Sequence, residues 1–122
     1  INASEKNQKI LGFPALKGNF FRQDISKFVK QDNWSIITKY HFGGYAKINS
    51  DLIAFINRFK KEHQIPLDPV YTGKMMYGIM DMIFNNKFPK GTKILAIHTG
   101  GLQGIEGMND RLNKKKLPLI DL

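Results

Sequence analysis

The feature that most limits the fold is an apolar run without polar alternation. Residues 93–99 read Lys-Ile-Leu-Ala-Ile-His-Thr and stop at Gly100 and Gly101. A strand with one wet face alternates apolar and polar residues, whereas a strand covered on both faces reads as a continuous apolar run. Residues 9–16, Lys-Ile-Leu-Gly-Phe-Pro-Ala-Leu, have the same character, and residues 34–40, Trp-Ser-Ile-Ile-Thr-Lys-Tyr, are rich in β-branched and aromatic side chains. Helical patterns separate these runs. Residues 22–31 carry Ile25, Phe28 and Val29 at helical spacing, with Asp24 near the start. Ser50 is expected to cap a helix with Leu52, Ile53, Phe55, Ile56 and Phe59 on its apolar stripe, and Pro66 and Pro69 end it. Thr72 is expected to cap a third helix reaching about Asn85, filled with Met75, Met76, Ile79, Met80, Met82 and Ile83 as core.

Strands alternating with helices imply an α/β class, a parallel sheet flanked by helices. Its three strands fall short of the roughly five or six of a mean sheet, and a three-stranded parallel sheet leaves two edges to protect. The expectation is therefore one α/β unit over residues 1–122, an incomplete one whose missing strands come from more chain or from another copy. A start at Ile1, without an initiator Met and unlike a signal peptide, reads as a processed chain or a piece of a longer one.

Composition narrows the chemistry. At 122 residues without cysteine, the chain is one domain with no disulfide, no thiolate zinc site and no cysteine nucleophile. No apolar run approaches the roughly 18 residues of a membrane helix, so no membrane partner is expected and the cytoplasm suits the composition. Lys and Arg number 19 against 10 Asp and Glu, a formal charge of +9. The basic residues are scattered, and the tight run is Lys114, Lys115 and Lys116. Zinc-finger spacing, basic-region heptads and aromatic RNA-binding motifs are missing, so the charge reads as solvated surface and nucleic acid is not an expected partner. A basic nucleic-acid-binding module and a non-catalytic interaction domain are the rival readings. His41, His63 and His98 have no metal-ligand spacing, and no metal is expected.

Three loops occupy positions where α/β proteins place ligands, beyond the carboxyl ends of strands. His98, Thr99, Gly100 and Gly101 end the last strand; the glycines allow close backbone approach, successive N–H groups can cradle an anion, and the Thr99 hydroxyl can donate one hydrogen bond. Residues 67–74, Leu-Asp-Pro-Val-Tyr-Thr-Gly-Lys, put Tyr71 at a helix start, where a phenolate would feel the positive helix end; without such help a tyrosine titrates near about 10. Phe42, Gly43, Gly44 and Tyr45 form a glycine-centred loop that lets Tyr45 lean over a pocket. The first also reads as a structural turn, the second as a tyrosine packing its ring with its hydroxyl in water, and the third as a mobile surface loop. Lys74, following a glycine, is expected at the surface.

Taken together, residues 43–47 (Gly-Gly-Tyr-Ala-Lys), residues 67–74 and residues 97–101 (Ile-His-Thr-Gly-Gly) resemble, in order and spacing, the pyridoxal-phosphate (PLP) enzymes 1-aminocyclopropane-1-carboxylate deaminase and D-cysteine desulfhydrase. The turn at residues 88–91 and the segment from Leu102 to Ile105 are also typical of them. The resemblance covers nearly all of the chain and roughly the last third of the family pattern. It implies the tryptophan-synthase-β-like arrangement (fold type II), with residues 1–122 as the C-terminal part of the large domain. It implies that Thr99 hydrogen-bonds the pyridine nitrogen of PLP with Gly100 beside it, that Tyr71 and Tyr45 serve proton transfer or assist the nucleophile, and that Thr72 lies on the substrate side. Ring-opening deaminases carry Glu and Leu where this chain has Thr72 and Thr99, so the resemblance leans to the desulfhydrase branch: a small amino acid losing ammonia and sulfide. The family's Schiff-base lysine and phosphate loop lie upstream of the matched region, which implies a chain inactive alone and a full-length homodimer.

Overall fold

The computed structural model describes residues 1–5 and 7–122. Strand β1 (Ile10–Gly12) pairs in parallel with β2 (Trp34–Ile36), with Ile10 opposite Trp34 and Gly12 opposite Ile36. Helices α1 (Phe21–Ser26), α2 (Ser50–His63), α3 (Thr72–Phe84) and α4 (Gly104–Lys114) complete the chain. The expected α/β class with a parallel sheet is borne out, and the sheet has two strands.

The core lies on the α2 side of the molecule. Leu52, Ile53, Phe55 and Ile56 of α2 bury against Leu67, Ile105, Met108 and Leu112 of α4, and Ile120. Full burial of each aliphatic side chain stabilises by about 1.5–3 kcal/mol, so this cluster is the main source of stability. Two asparagines strap the C-terminal segment across it. Asn109 exchanges both amide hydrogen bonds with the backbone of Ile120 (2.8 Å each), and Asn57 donates to Leu119 O and accepts from Asp121 N (both 2.9 Å). Each side chain thereby acts as a stand-in for a neighbouring strand.

Helix α3 fits because it begins and continues with small residues. A Cβ on Gly73 would lie 2.6 Å from Asp68 O and 2.8 Å from Ile56 Cδ1, and one on Gly78 would lie 2.7 Å from the Phe13 ring. These approaches seat α3 between α2 and the loop that follows β1.

Several boundaries differ from the sequence reading. The cap of α2 is Asn49, not Ser50: Asn49 is extended (φ −133°, ψ 175°) and its Oδ1 accepts from Leu52 N at 2.9 Å, whereas Ser50 is already helical. Helix α1 stops at Ser26 and buries no residue, leaving Phe28 80% exposed, because so short a helix has no covered face to hold it. Residues 93–99, expected as a strand, have no regular secondary structure and pair with no strand among the described residues. Their side chains lie outside, with Leu95 87% and Ile97 66% exposed.

Candidate active site

The geometry starts at one buried carboxylate. Asp68 is 1% exposed and ends the turn before α3. Its Oδ2 accepts from the N–H groups of Val70 (2.7 Å) and Tyr71 (2.8 Å), and its Oδ1 accepts from Thr72 N and Thr72 Oγ1 (both 2.7 Å). These are the donors that a helix start leaves without partners, so Asp68 does the capping expected of Thr72. The Thr72 hydroxyl is turned inward: it donates to Asp68 and accepts from Asp68 N at 3.0 Å. A substrate-side contact by this hydroxyl is therefore not what the structure shows, since a buried carboxylate takes every good donor within reach.

The same turn directs Tyr71 outward, 49% exposed. The loop at residues 41–47 brings Tyr45 to meet it. Its backbone enters the left-handed region at Phe42, Gly43, Gly44 and Ala46, and Gly44 N bonds His41 O while Lys47 N bonds Gly44 O (both 3.1 Å). The two tyrosine hydroxyls lie 3.3 Å apart and the rings meet edge to face, with centroids 6.3 Å apart. The hydrogen bond with Tyr45 holds the Tyr71 phenol above the usual tyrosine range, with partial burial and the Asp68 charge acting in the same direction. The positive helix end expected to favour a phenolate is thus already answered by Asp68.

The third loop docks on the second. His98 Nε2 lies 2.9 Å from Pro66 O, and Gly100 N donates to His98 Nδ1 at 3.1 Å. A carbonyl can only accept and an N–H can only donate, which places the ring proton on Nε2. A Cβ on Gly101, at φ +91°, would lie 3.0 Å from Asp68 Cγ. Thr99 is exposed between these two anchors. The three loops singled out from sequence are therefore built against one another, although more than 50 residues separate the first from the last.

Beside the tyrosines lies an apolar cavity of about 370 Å³, with Gly12, Phe13, Leu16, Ile36, Tyr45 and Tyr71 in its wall. It opens at the carboxyl ends of β1 and β2, where parallel sheets place ligands.

The comparisons point one way. Over 73 residues the chain is 44% identical to a putative 1-aminocyclopropane-1-carboxylate deaminase of Pyrococcus horikoshii, a match covering 60% of this chain and 22% of that protein. Over 82 residues it is 30% identical to the 1-aminocyclopropane-1-carboxylate deaminase of Pseudomonas syringae pv. tomato, covering 67% of this chain and 24% of that one. The crystal structure of an ACC deaminase homologue superposes with a TM-score of 0.70 at 27% identity, over 85% of this chain and 34% of the other. The chain is related to the ACC deaminases. No family model matches it. It spans about a quarter or less of the length of these curated ACC deaminases.

Sequence reasoning missed two residues. Asp68 went unassigned, although an Asp a few residues before a helical pattern is a capping signal. Lys74, expected at the surface, is 2% exposed, with its ammonium donating to His41 O and Gly44 O (2.9 Å each). Burial pushes its pKa down to about 8, against an upward pull from Asp68. Helical spacing explains the error poorly; only the fold of residues 41–47 over α3 encloses that side chain.

Proposed function

We propose that this chain carries part of the catalytic site of a PLP-dependent enzyme that releases ammonia from a small amino acid, acting when joined to the rest of a longer protein. The observation that carries the reading is the Tyr45–Tyr71 pair, with hydroxyls 3.3 Å apart at the wall of an apolar cavity. The names of its relatives supply the reaction class.

The residues present fit the ring end of PLP. Thr99 offers an exposed hydroxyl suited to a pyridine nitrogen, and Gly100 beside it has the open backbone (φ +92°) that lets a planar ring approach. The buried Lys74 is not offered for the covalent attachment of PLP, being spent on two carbonyls. The Schiff-base lysine is assigned, on the family resemblance, to the remainder of the parent enzyme. When bound, PLP supplies an electron sink for charge developing at the substrate Cα. A hydroxyl at Thr99, in place of a carboxylate, would leave the ring nitrogen unprotonated and that sink mild. Tyr71, with its pKa raised, keeps its proton at neutral pH and works as a donor. Tyr45 shares that hydrogen bond and relays a proton at Oη. Thr99 where ring-opening deaminases carry Leu, and the lack of their Glu at position 72, favour D-cysteine, with sulfide as a second product, over the cyclopropane substrate.

The exposed side chains of Ile94, Leu95 and Ile97 support reading residues 1–122 as one incomplete α/β unit of a larger domain. For the full-length protein, the family resemblance supports a homodimer, and the cysteine-free composition suits the cytoplasm.

The test is ammonia and sulfide release by the full-length parent and its Tyr71→Phe variant, with D-cysteine and with 1-aminocyclopropane-1-carboxylate. A loss of about 100-fold or more in kcat is the expected result, within the usual range for a positioned acid or base. Unchanged kinetics with both substrates would remove Tyr71 from the chemistry. Turnover of the cyclopropane substrate alone would overturn the desulfhydrase preference.

A further inference from the structure

Among the described residues Lys74 is the one buried cation, and the proposed chemistry leaves it without a task. Taking an ammonium out of water is costly unless its hydrogen bonds are replaced. Here two of its three donors go to carbonyls of a single loop, His41 O and Gly44 O, each at 2.9 Å. Both carbonyls already accept a backbone N–H, from Gly44 and Lys47 respectively, at 3.1 Å. The ammonium therefore joins two consecutive turns, and Tyr45 lies in the second of them.

Those turns are not a shape the sequence adopts freely. Phe42 and Ala46 have φ of 55° and 54°, in a region that residues with a Cβ enter at a cost. Tyr45 is 55% exposed, so packing contributes little to its placement. On the other side, Tyr71 is held by Asp68 at the start of α3, the helix that carries Lys74 one turn later. One helix start thus places one tyrosine directly and reaches the loop of the other through a lysine.

We infer that Lys74 is a positioning residue whose ammonium, by bridging the carbonyls of His41 and Gly44, sets the loop that brings the Tyr45 hydroxyl to the Tyr71 hydroxyl. The importance of that pairing rests on the function proposed above, but the pairing can be measured without any reaction. The lowered pKa of Lys74 is compatible with the role, because a neutral amine still carries the two N–H donors the bridge uses.

The experiment reads the tyrosines in the 122-residue chain labelled with carbon-13 at tyrosine Cζ. In the wild type Tyr71 titrates above the ordinary tyrosine range, and Tyr45→Phe assigns that shift to the pair. In Lys74→Met the shift at Tyr71 is expected to be lost, while emission from the buried Trp34 and overall signal dispersion stay as in the wild type. The chain has no cysteine, so Lys74→Cys can be alkylated at that one position with 2-bromoethylamine in denaturant and refolded. The resulting lysine isostere is expected to restore the shift, which the unalkylated variant lacks. A Tyr71 shift unchanged in Lys74→Met, or unrestored after alkylation, overturns the inference.

Should Lys74→Met fail to fold, the wild type decides. Nitrogen-15 spectra are expected to show Lys74 ammonium protons protected from exchange, with couplings across hydrogen bonds to the carbonyl carbons of residues 41 and 44. Ammonium protons exchanging at the bulk rate overturn the bridge. The two proposals fail separately: a parent enzyme that eliminates nothing while the tyrosine shift depends on Lys74 defeats the function and leaves the positioning role intact.

Discussion

Residues 66–74 and residues 93–97 flank the same site and solve opposite problems. In the first, Asp68, Thr72 and Lys74 point inward and are answered, with Tyr71 alone among the prominent polar side chains turned outward: Asp68 takes four hydrogen bonds, Thr72 donates and accepts, and Lys74 reaches two carbonyls. In the second, the apolar side chains point outward, with Ile94 41%, Leu95 87% and Ile97 66% exposed. One segment is complete within the chain. The other has the sequence of a buried strand, and the described residues leave its large apolar side chains exposed. Hydrogen bonding near a helix end is short-ranged and can be satisfied by a few residues, whereas a strand covered on both faces needs other elements beside and above it.

The contrast predicts a graded response to substitution. Ile56→Ala, in the core beneath the first segment, should cost about 3–4 kcal/mol in urea unfolding, as large-to-small core changes do. A loss below about 1 kcal/mol would mean that the cluster around α2 is loosely packed. Asp68→Ala should cost about 3 kcal/mol, because three backbone N–H groups and the Thr72 hydroxyl lose a charged acceptor together. Asp68→Asn, which retains one oxygen, should lose less; equal losses would show that charge, not hydrogen-bond count, is what matters there.

A third response is to pH. The Lys74 ammonium has its pKa lowered from 10.5 to about 8 in the folded chain, so between those values the unfolded state binds more protons than the folded one. Stability from this group therefore rises with pH from about 8 upward, and Lys74→Met should abolish the rise. Tyrosines act in the opposite direction above about 10: burial and the hydrogen bond to Asp81 push Tyr40 up to about 12, so its folded form keeps a proton that the unfolded chain loses. Denaturant midpoints measured from pH 7 to 10 isolate the lysine, and a flat or falling profile that Lys74→Met leaves unaltered would show that Lys74 is not buried as described. The smallest effect is expected at Leu95→Ser, within about 0.5 kcal/mol in this chain. In a longer parent of the kind proposed above, the same change should cost several-fold more if residues 93–99 are covered there; equal effects in both would remove the case for an incomplete sheet.

Much of the site was legible before the fold. The tyrosines, the glycines around them and the Thr-Gly-Gly loop stood out as short motifs, and the structure packs their loops together through His98, Gly101 and Lys74. Helices α2 and α3 were legible because an apolar stripe at helical spacing needs no long-range information. Their caps were not: Asn49 and Ser50 are both competent and backbone dihedrals choose Asn49, while at α3 the Asp68 carboxylate takes the part expected of Thr72. The direction of Thr72 was equally hidden: a hydroxyl at a helix start serves substrate or carboxylate, and the buried Asp68 claims it.

The amino-acid order by itself determined the α/β pattern, the two long amphipathic helices, the relationship to ACC deaminases and the identity of the three loops that form the candidate site. These depend on spacing within a few turns of chain, where local sterics and hydrophobic periodicity act. Only the tertiary structure decided that Asp68 caps α3, that Lys74 is enclosed beneath the loop of Tyr45, and that Tyr45 and Tyr71 share one hydrogen bond. Burial and charge state at those positions are set by side chains from distant parts of the chain, and no spacing rule reports which of them arrive.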